Sequence, residues 1–449
     1  MRVHFIAIGG SAMHNIALAV AAAGHEVTGS DDQIFEPSRG RLAAAHLLPE
    51  EDGWHPEKLD ESIDVVVLGM HARPDNPELL KAQNLGLNIQ SYPEFLRAAN
   101  GQAKRVVIGG SHGKTTVTSM LLHVMQGMHI PTNFMVGAQL EGFDRMVEID
   151  PSRSWCILEG DEYLSSPIDR RPKFFWYEAQ FTLLTGIAWD HINVFPTEEN
   201  YIQQFDTYLE SLAPNASVVW CEEDAALEAV VNRCKRDDLK FVPYRTPTCS
   251  PHSDGTMTLA FEGSRSVTTH LVGTHNIQNL AVARTLAQVM GLDVSAFDEA
   301  ISSFRGAARR LEPLHSREGF TVFRDFAHAP SKVRATVRGV KASYPERALT
   351  AVLELHTFSS LNKDFLPTYN QAMASADEAV VYYDPAVLAH KQMPPLDPQF
   401  VADVFGNHPN LRIITDASEL HQHVQNLDQQ QRVVLLMSSG WFGNAEWSW

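Results

Sequence analysis

The run Gly109-Gly110-Ser111-His112-Gly113-Lys114-Thr115-Thr116 holds the residue types that grip a polyphosphate. Glycines let successive backbone N–H groups converge on phosphate oxygens, and a helix starting just beyond them adds partial positive charge. In that frame Lys114 reaches the β and γ phosphates, and Thr115 offers its hydroxyl to Mg2+. An apolar strand pattern, Arg105–Ile108, precedes the run, and a helical pattern, Thr116–Met128, follows it. The spacing departs from the general phosphate-loop pattern. Ile108 stands five positions before Gly113 and the glycine falls at Gly110, which gives G-x-x-G-K-T-T.

A second glycine turn, Gly9-Gly10-Ser11, also follows a strand and opens a helix. Ala7 and Ala12 stand where a full dinucleotide fingerprint would have glycines. Nucleotide binding and plain strand–helix packing explain this turn equally well. Ser30 and Asp31 follow the next strand, where a ligand's sugar or base would lie.

Carboxylates gather at the ends of two further strands. Leu158-Glu159-Gly160-Asp161-Glu162-Tyr163 crowds three acids into four residues, which is costly in self-repulsion unless a cation offsets them. Asp190-His191 ends the other strand, and oxygen with imidazole donors suits Mg2+ carrying phosphates. Alone, each cluster reads as a solvated loop; a phosphate loop in the same region favours the metal. Later, Arg309 and Arg310 precede the run Arg324-Asp325-Phe326-Ala327-His328-Ala329-Pro330, which again follows a strand. Surface ion pairs would explain these as well as a site would. The remaining histidines, such as His46, His55, His123 and His421, read as surface residues.

The elements that must position these groups form an α/β pattern. Strands at Val3–Ile8, Glu26–Gly29 and Asp64–Gly69 alternate with helical stretches, the grammar of a parallel sheet. The grammar restarts at Arg105 and again after Phe304-Arg305-Gly306. At 449 residues the chain has room for about three domains. We expect them at 1–103, 104–308 and 309–449. The 44% hydrophobic and 20% charged composition excludes a disordered or fibrous chain. The start, MRVHFIAIGG, reads as a first strand and not as a signal peptide, and no apolar run is long enough to span a membrane. Four scattered cysteines fit a reducing cytoplasm. A net charge of −18 disfavours nucleic acid and anionic lipid as partners. Nothing points to an obligate protein partner.

Taken in order, VHFIAIGGSAM, GGSHGKTT, LEGDEY, AWDHINVF, GTHNIQN, GAARRLE and RDFAHAP resemble the Mur ligase family across essentially the whole chain. The resemblance implies a Rossmann-like N-terminal domain binding UDP-N-acetylmuramate, a central P-loop ATPase domain with a parallel sheet, and a C-terminal Rossmann-like α/β domain receiving an amine. It implies ATP and Mg2+ as cofactors and amide formation through an acyl phosphate, in peptidoglycan metabolism. Gly110 to Thr116, with Asn276, Asn279, Arg310 and Asp325, would meet ATP. Thr115, Glu159 and His191 would hold metal, and Lys114, Glu159, His191 and Asp325 would carry catalysis. Gly9, Gly10, Ser11, Ser30, Asp31, His71, Arg73, Glu162, Tyr163 and His328 would meet substrate. Ala329 replaces the second histidine of the family's D-[YF]-[AG]-H-H-P. Several members carry a carbamylated lysine after the D-H motif; Phe205 falls about there, and no lysine occurs between Lys173 and Lys235.

The histidine form of the loop resembles the branch that acts directly on UDP-N-acetylmuramate. That branch adds either L-alanine or the tripeptide L-alanyl-γ-D-glutamyl-meso-diaminopimelate. Asp161-Glu162-Tyr163, Asp169 to Phe174, Gly69 to Ala82 and Met437 to Gly443 resemble the tripeptide-adding enzymes of cell-wall recycling. Leu353-Glu354-Leu355-His356-Thr357-Phe358-Ser359 stands where the L-alanine-adding enzymes carry arginines, and no arginine occurs from Leu349 to Gln399. Glu354, His356, Ser359, Ser360, Asn362 and Lys363 are the expected peptide contacts.

Overall fold

The computed structural model describes all residues except 138, 139, 141, 142, 144, 190–193, 253–255, 262–265, 272, 307–309, 407, 445, 446 and 448. The chain forms two compact units, one of residues 1–245 with 281–301 and one of residues 246–280 with 302–449.

The first unit holds two sheets. Strands β1 (Arg2–Ile6), β2 (Glu26–Ser30), β3 (Val65–Leu68) and β4 (Ile89–Ser91) run parallel in the order β2-β1-β3-β4. A parallel sheet needs cover on both faces, which explains the near-continuous apolar runs HFI and VVVL. The fourth strand escapes periodicity because Ile-Gln-Ser is too short to show a period. Beneath the sheet, His4 and Glu78 form a fully buried pair at 3.3 Å.

The second sheet contains β5 (Lys104–Gly109), β6 (Thr132–Met135), β7 (Val147–Glu148), β8 (Trp155–Glu159), β9 (Phe181–Leu184), β10 (Ser217–Cys221) and β11 (Lys240–Tyr244). Its order is β11-β10-β9-β5-β8-β6-β7, parallel except for the edge strand β7. Strand β5 therefore sits centrally between β8 and β9. Its loop is flanked by the loops that leave those two neighbours, where open α/β sheets bind ligands. At the join to the first sheet, the buried Asn133 amide donates to the buried Asn100 side chain at 2.9 Å.

The other unit contains a small antiparallel sheet, β12 (Cys249–Pro251), β13 (Met257–Leu259) and β14 (Val267–Thr269). Its larger sheet has β15 (Glu312–Arg317), β16 (Phe320–Asp325), β17 (Ala348–Glu354), β18 (Glu378–Tyr382), β19 (Leu411–Ile414) and β20 (Arg432–Met437), in the order β15-β16-β20-β17-β18-β19. Only the β15 edge is antiparallel. Trp447 and Trp449 stack with centroids 5.9 Å apart and pack against the sheet-face cluster of Phe320, Tyr382 and Leu436.

Candidate active site

Strand β5 runs straight into the glycine loop, and the helix Lys114–Gly127 leaves it. Gly110 has φ +105°, and an added Cβ would lie 2.7 Å from the Thr185 backbone nitrogen. Only glycine can pass between the loop and β9 there. Gly113 is also left-handed, at φ +75°. It opens the helix with no side-chain cap and no acid in the first turn, so the first N–H groups remain available to an anion. Ser111, Thr115 and Thr116 are buried around it, and the His112 carbonyl accepts from the Thr185 hydroxyl.

Each of the three crowded carboxylates has its own partner. Lys114 Nζ lies 2.6 Å from Glu162 Oε2 and also donates to the Gly110 carbonyl at 2.8 Å. The Thr115 hydroxyl donates to Glu159 Oε1 at 2.8 Å, and the Gly137 N–H donates to Glu159 Oε2 at 2.8 Å. Lys173 Nζ meets Asp161 Oδ2 at 2.5 Å and sits 5.5 Å from the ring centroids of both Tyr92 and Tyr163. For Asp161 and Glu162 the relieving cations are thus supplied by the protein itself, whereas the partners of Glu159 here are neutral donors. Burial presses both lysines toward the neutral form, but the surrounding carboxylates outweigh it and hold their pKa values above the usual lysine range.

A relay ties the acidic strand end to the loop. The Ala188 N–H donates to Ser111 Oγ at 2.8 Å, Ser111 Oγ bonds the Tyr201 hydroxyl at 2.9 Å, and that hydroxyl donates to Glu162 Oε1 at 2.9 Å. Tyr201 reaches the loop from the helix Glu198–Ser211, which Thr197 caps through the Asn200 N–H. The sequence reading missed Tyr201, Lys173 and Gly137. Tyr201 carries a readable signal: it is one turn before Phe205 on a capped helix, so both share a face. Glu162, expected among the substrate contacts, is placed inside the phosphate loop's own network. Asp190 and His191 lie outside the described residues, and among the described residues no cluster of three or more His, Cys, Asp or Glu side chains has metal-holding geometry.

The first sheet brings its expected residues to the carboxyl ends of β1, β2 and β3. Gly9 and Gly10 follow β1, and Gly10 caps the helix Ser11–Ala22. The Gly9 N–H donates to Asp31 Oδ2 at 2.7 Å, and a Cβ at Gly9 would fall 2.9 Å from that oxygen. Burial, with Asp32 alongside, pushes the Asp31 carboxyl up to about 7. Ser30 is fully buried, and its carbonyl accepts from the Ala7 and Ile8 N–H groups. Ala7 itself has φ +68°, so this chain places alanine in a left-handed position where a fingerprint glycine would sit. His71 and Arg73 are exposed in the loop after β3, which neighbours β1.

In the second unit, Asn276 and Asn279 are buried on the helix Thr274–Val289, three residues apart and so on one face. Asp325 accepts from the Leu311 N–H at 2.8 Å and the Ala327 N–H at 2.7 Å, so its carboxylate holds two backbone segments together. The Arg310 guanidinium lies 4.8 Å from the Phe326 ring centroid, and His328 Nδ1 bonds the Phe326 carbonyl at 2.8 Å. Glu354, at the end of β17, is buried and accepts from the Ser438 hydroxyl and from the Phe442 N–H at 2.9 Å. Burial opposes its charge, but His356, Ser438 and that N–H outweigh it, and its pKa lies below the usual range. His356 Nδ1 is 3.7 Å from the second Glu354 oxygen.

A parallel sheet with an uncapped glycine loop at its centre, flanked by acids, in a chain that carries two further α/β sheets, defines a nucleotide-dependent enzyme of several domains. Three family models match the chain in order: the Mur ligase family catalytic domain over residues 2–102, the Mur ligase middle domain over 108–287, and the Mur ligase glutamate ligase domain over 309–440. The chain belongs to the Mur ligase family and is an ATP-dependent, Mg2+-using ligase that forms an amide bond. It is 30% identical to a UDP-N-acetylmuramate–L-alanine ligase of Arthrobacter sp. (strain FB24), over 85% of this chain and 80% of that protein. Among solved structures it is similar to a murein peptide ligase from Psychrobacter arcticus, with TM-score 0.66 and 22% identity over 99% and 97% of the two chains. A UDP-N-acetylmuramate–alanine ligase from Thermotoga maritima gives TM-score 0.71 and 20% identity over the same shares.

Proposed function

We propose that this enzyme joins UDP-N-acetylmuramate to the tripeptide L-alanyl-γ-D-glutamyl-meso-diaminopimelate in the cytoplasmic recycling of peptidoglycan. Residues 1–103 would hold the UDP sugar, 104–308 the ATP and 309–449 the peptide. ATP would supply the phosphoryl group that converts the muramate carboxylate to an acyl phosphate, with Mg2+ screening charge, and the peptide amine would then displace phosphate. The glycine loop fits that donor. It ends at a helix start without a side-chain cap, and the paired Thr115 hydroxyl and Glu159 carboxylate offer oxygen donors to the cation. Lys114, stored against Glu162, is the cation that would turn to the transferring phosphoryl oxygens.

The observation that carries the tripeptide choice is the loop after β17. L-alanine offers only a methyl group and a carboxylate beside its amine, so its enzyme needs a strong cationic anchor. Here that strand ends in buried Glu354, tied to Ser438 and Phe442, and no arginine occurs from Leu349 to Gln399. A peptide carries further charges, and remote contacts with them can orient the reacting amine. The sequence relatives favour a second reading, in which the amine is L-alanine. Competition between tripeptide and L-alanine, with ATP and UDP-N-acetylmuramate present, decides. We expect kcat/KM for tripeptide to be higher by about 100-fold or more, on the order of 3 kcal/mol. Equal or better use of L-alanine overturns the proposal.

A further inference from the structure

We propose that Lys391, seated on the ring of Phe358, anchors a carboxylate of the peptide substrate at a distance from its reacting amine. This rests on the tripeptide reading above. Phe358 lies four residues beyond Glu354 in the loop that leaves β17, and its side chain is 62% exposed. Lys391 closes the helix Pro385–His390, which follows the neighbouring strand β18. Its Nζ stands 4.3 Å from the Phe358 ring centroid. A lone exposed phenylalanine is ordinary. One that holds an ammonium over its face fixes a cation in space without neutralising it.

The surrounding charges leave that ammonium available. From residue 349 to 399 the only lysines are Lys363 and Lys391, and there is no arginine. The acids nearest to Lys391 along the chain are occupied as helix caps: Asp384 accepts from the Ala386 N–H at 2.7 Å, and Asp397 accepts from the Gln399 N–H at 3.1 Å. No ion pair involves Lys391 among the described residues. The other exposed aromatic of this sheet's loops, Trp441, also has a cation near it, Arg324 at 6.0 Å. That guanidinium, however, is paired with Glu312 at 2.8 Å. Of the two cation–aromatic pairs, only Lys391 on Phe358 keeps its charge for a ligand.

The ligand class follows from reach. An extended peptide advances roughly 3.3 Å per residue, so a carboxylate two residues from the reacting amine lies about 7 Å or more away. L-alanine has no group at that distance, whereas the tripeptide carries carboxylates on its second and third residues. A cation that meets one of those carboxylates would discriminate between the two amines without touching the reacting amine.

Lys391→Ala, Lys391→Arg and Phe358→Leu test this in the full-length enzyme, with tripeptide and L-alanine as alternative amines. We expect Lys391→Ala to lower the tripeptide-to-L-alanine ratio of kcat/KM by about tenfold or more, through KM for the peptide. Lys391→Arg should restore most of that ratio, and Phe358→Leu should lose part of it. A ratio in Lys391→Ala equal to the wild-type ratio overturns the anchor while leaving the tripeptide reading intact. Wild-type enzyme that takes L-alanine as well as tripeptide overturns both. Matching thermal melts of the variants and the wild type separate recognition from folding.

Discussion

Lys114 Nζ lies 2.6 Å from Oε2 of Glu162, whose other oxygen accepts from the Tyr201 hydroxyl. The lysine of the phosphate loop is thus paired with a carboxylate that is itself fixed by hydrogen bonds. A phosphate entering the loop must draw the ammonium away from Glu162 or share it.

Lys114→Ala should abolish ligation. The variant leaves the phosphoryl charge without its cation, and loss of one such contact costs about 3 kcal/mol or more. Phosphate release that depends on both UDP-N-acetylmuramate and peptide measures the effect. Near-normal turnover would refute the role given to Lys114.

Gly110→Ala should destabilise the first unit. The left-handed backbone alone costs an alanine about 1–2 kcal/mol. The new Cβ would also press on the Thr185 backbone nitrogen, 2.7 Å away, which cannot swing aside as a side chain can. Urea unfolding should show a loss of about 2 kcal/mol or more. A midpoint unchanged from the wild type would mean that the loop does not pass β9 this closely.

Asp31 should make stability fall as pH rises. Its carboxyl titrates near 7 when folded and near 3.8 when exposed. Between about pH 4 and 7 the folded chain keeps a proton that the unfolded chain has released, so deprotonation favours unfolding across that window. The contribution is complete below the lower value and lost above the upper one. In Asp31→Asn, which can still accept from the Gly9 N–H, the loss of melting temperature from pH 5 to pH 8 should shrink relative to the wild type. An unchanged difference would show that Asp31 titrates in the ordinary range.

The enzyme should work without a carbamylated lysine. Phe205 is fully buried and packs edge-on against Phe174 and Tyr201, with centroids 5.8 Å and 5.5 Å away. That packing leaves no amine for carbon dioxide to modify at the position. Ligation rates should be the same in bicarbonate-depleted and bicarbonate-supplemented buffer. Strict bicarbonate dependence would overturn this.

The phosphate loop was legible in one dimension because its chemistry is local: glycines, lysine and threonines act through the backbone of one short segment between a strand and a helix. The parallel α/β layers were legible for a similar reason, since doubly covered strands need continuous apolar runs. The tandem carboxylates were visible as a cost, but not their relief. Lys173 is 12 residues from Asp161, and Lys114 is 48 residues from Glu162. Tyr201 lies 90 residues from Ser111 and 39 from Glu162. The first pairing arises because the connection from β8 to β9 folds back on itself, and the others because the sheet order puts β8 and β9 on either side of β5; no spacing rule in the chain encodes either arrangement. The same holds for Lys391 on Phe358 and for Trp449 against Phe320. Residue types and local periodicity determined which chemistry the chain carries. Packing of strands distant in sequence decided which charges are already paired and which remain for a ligand.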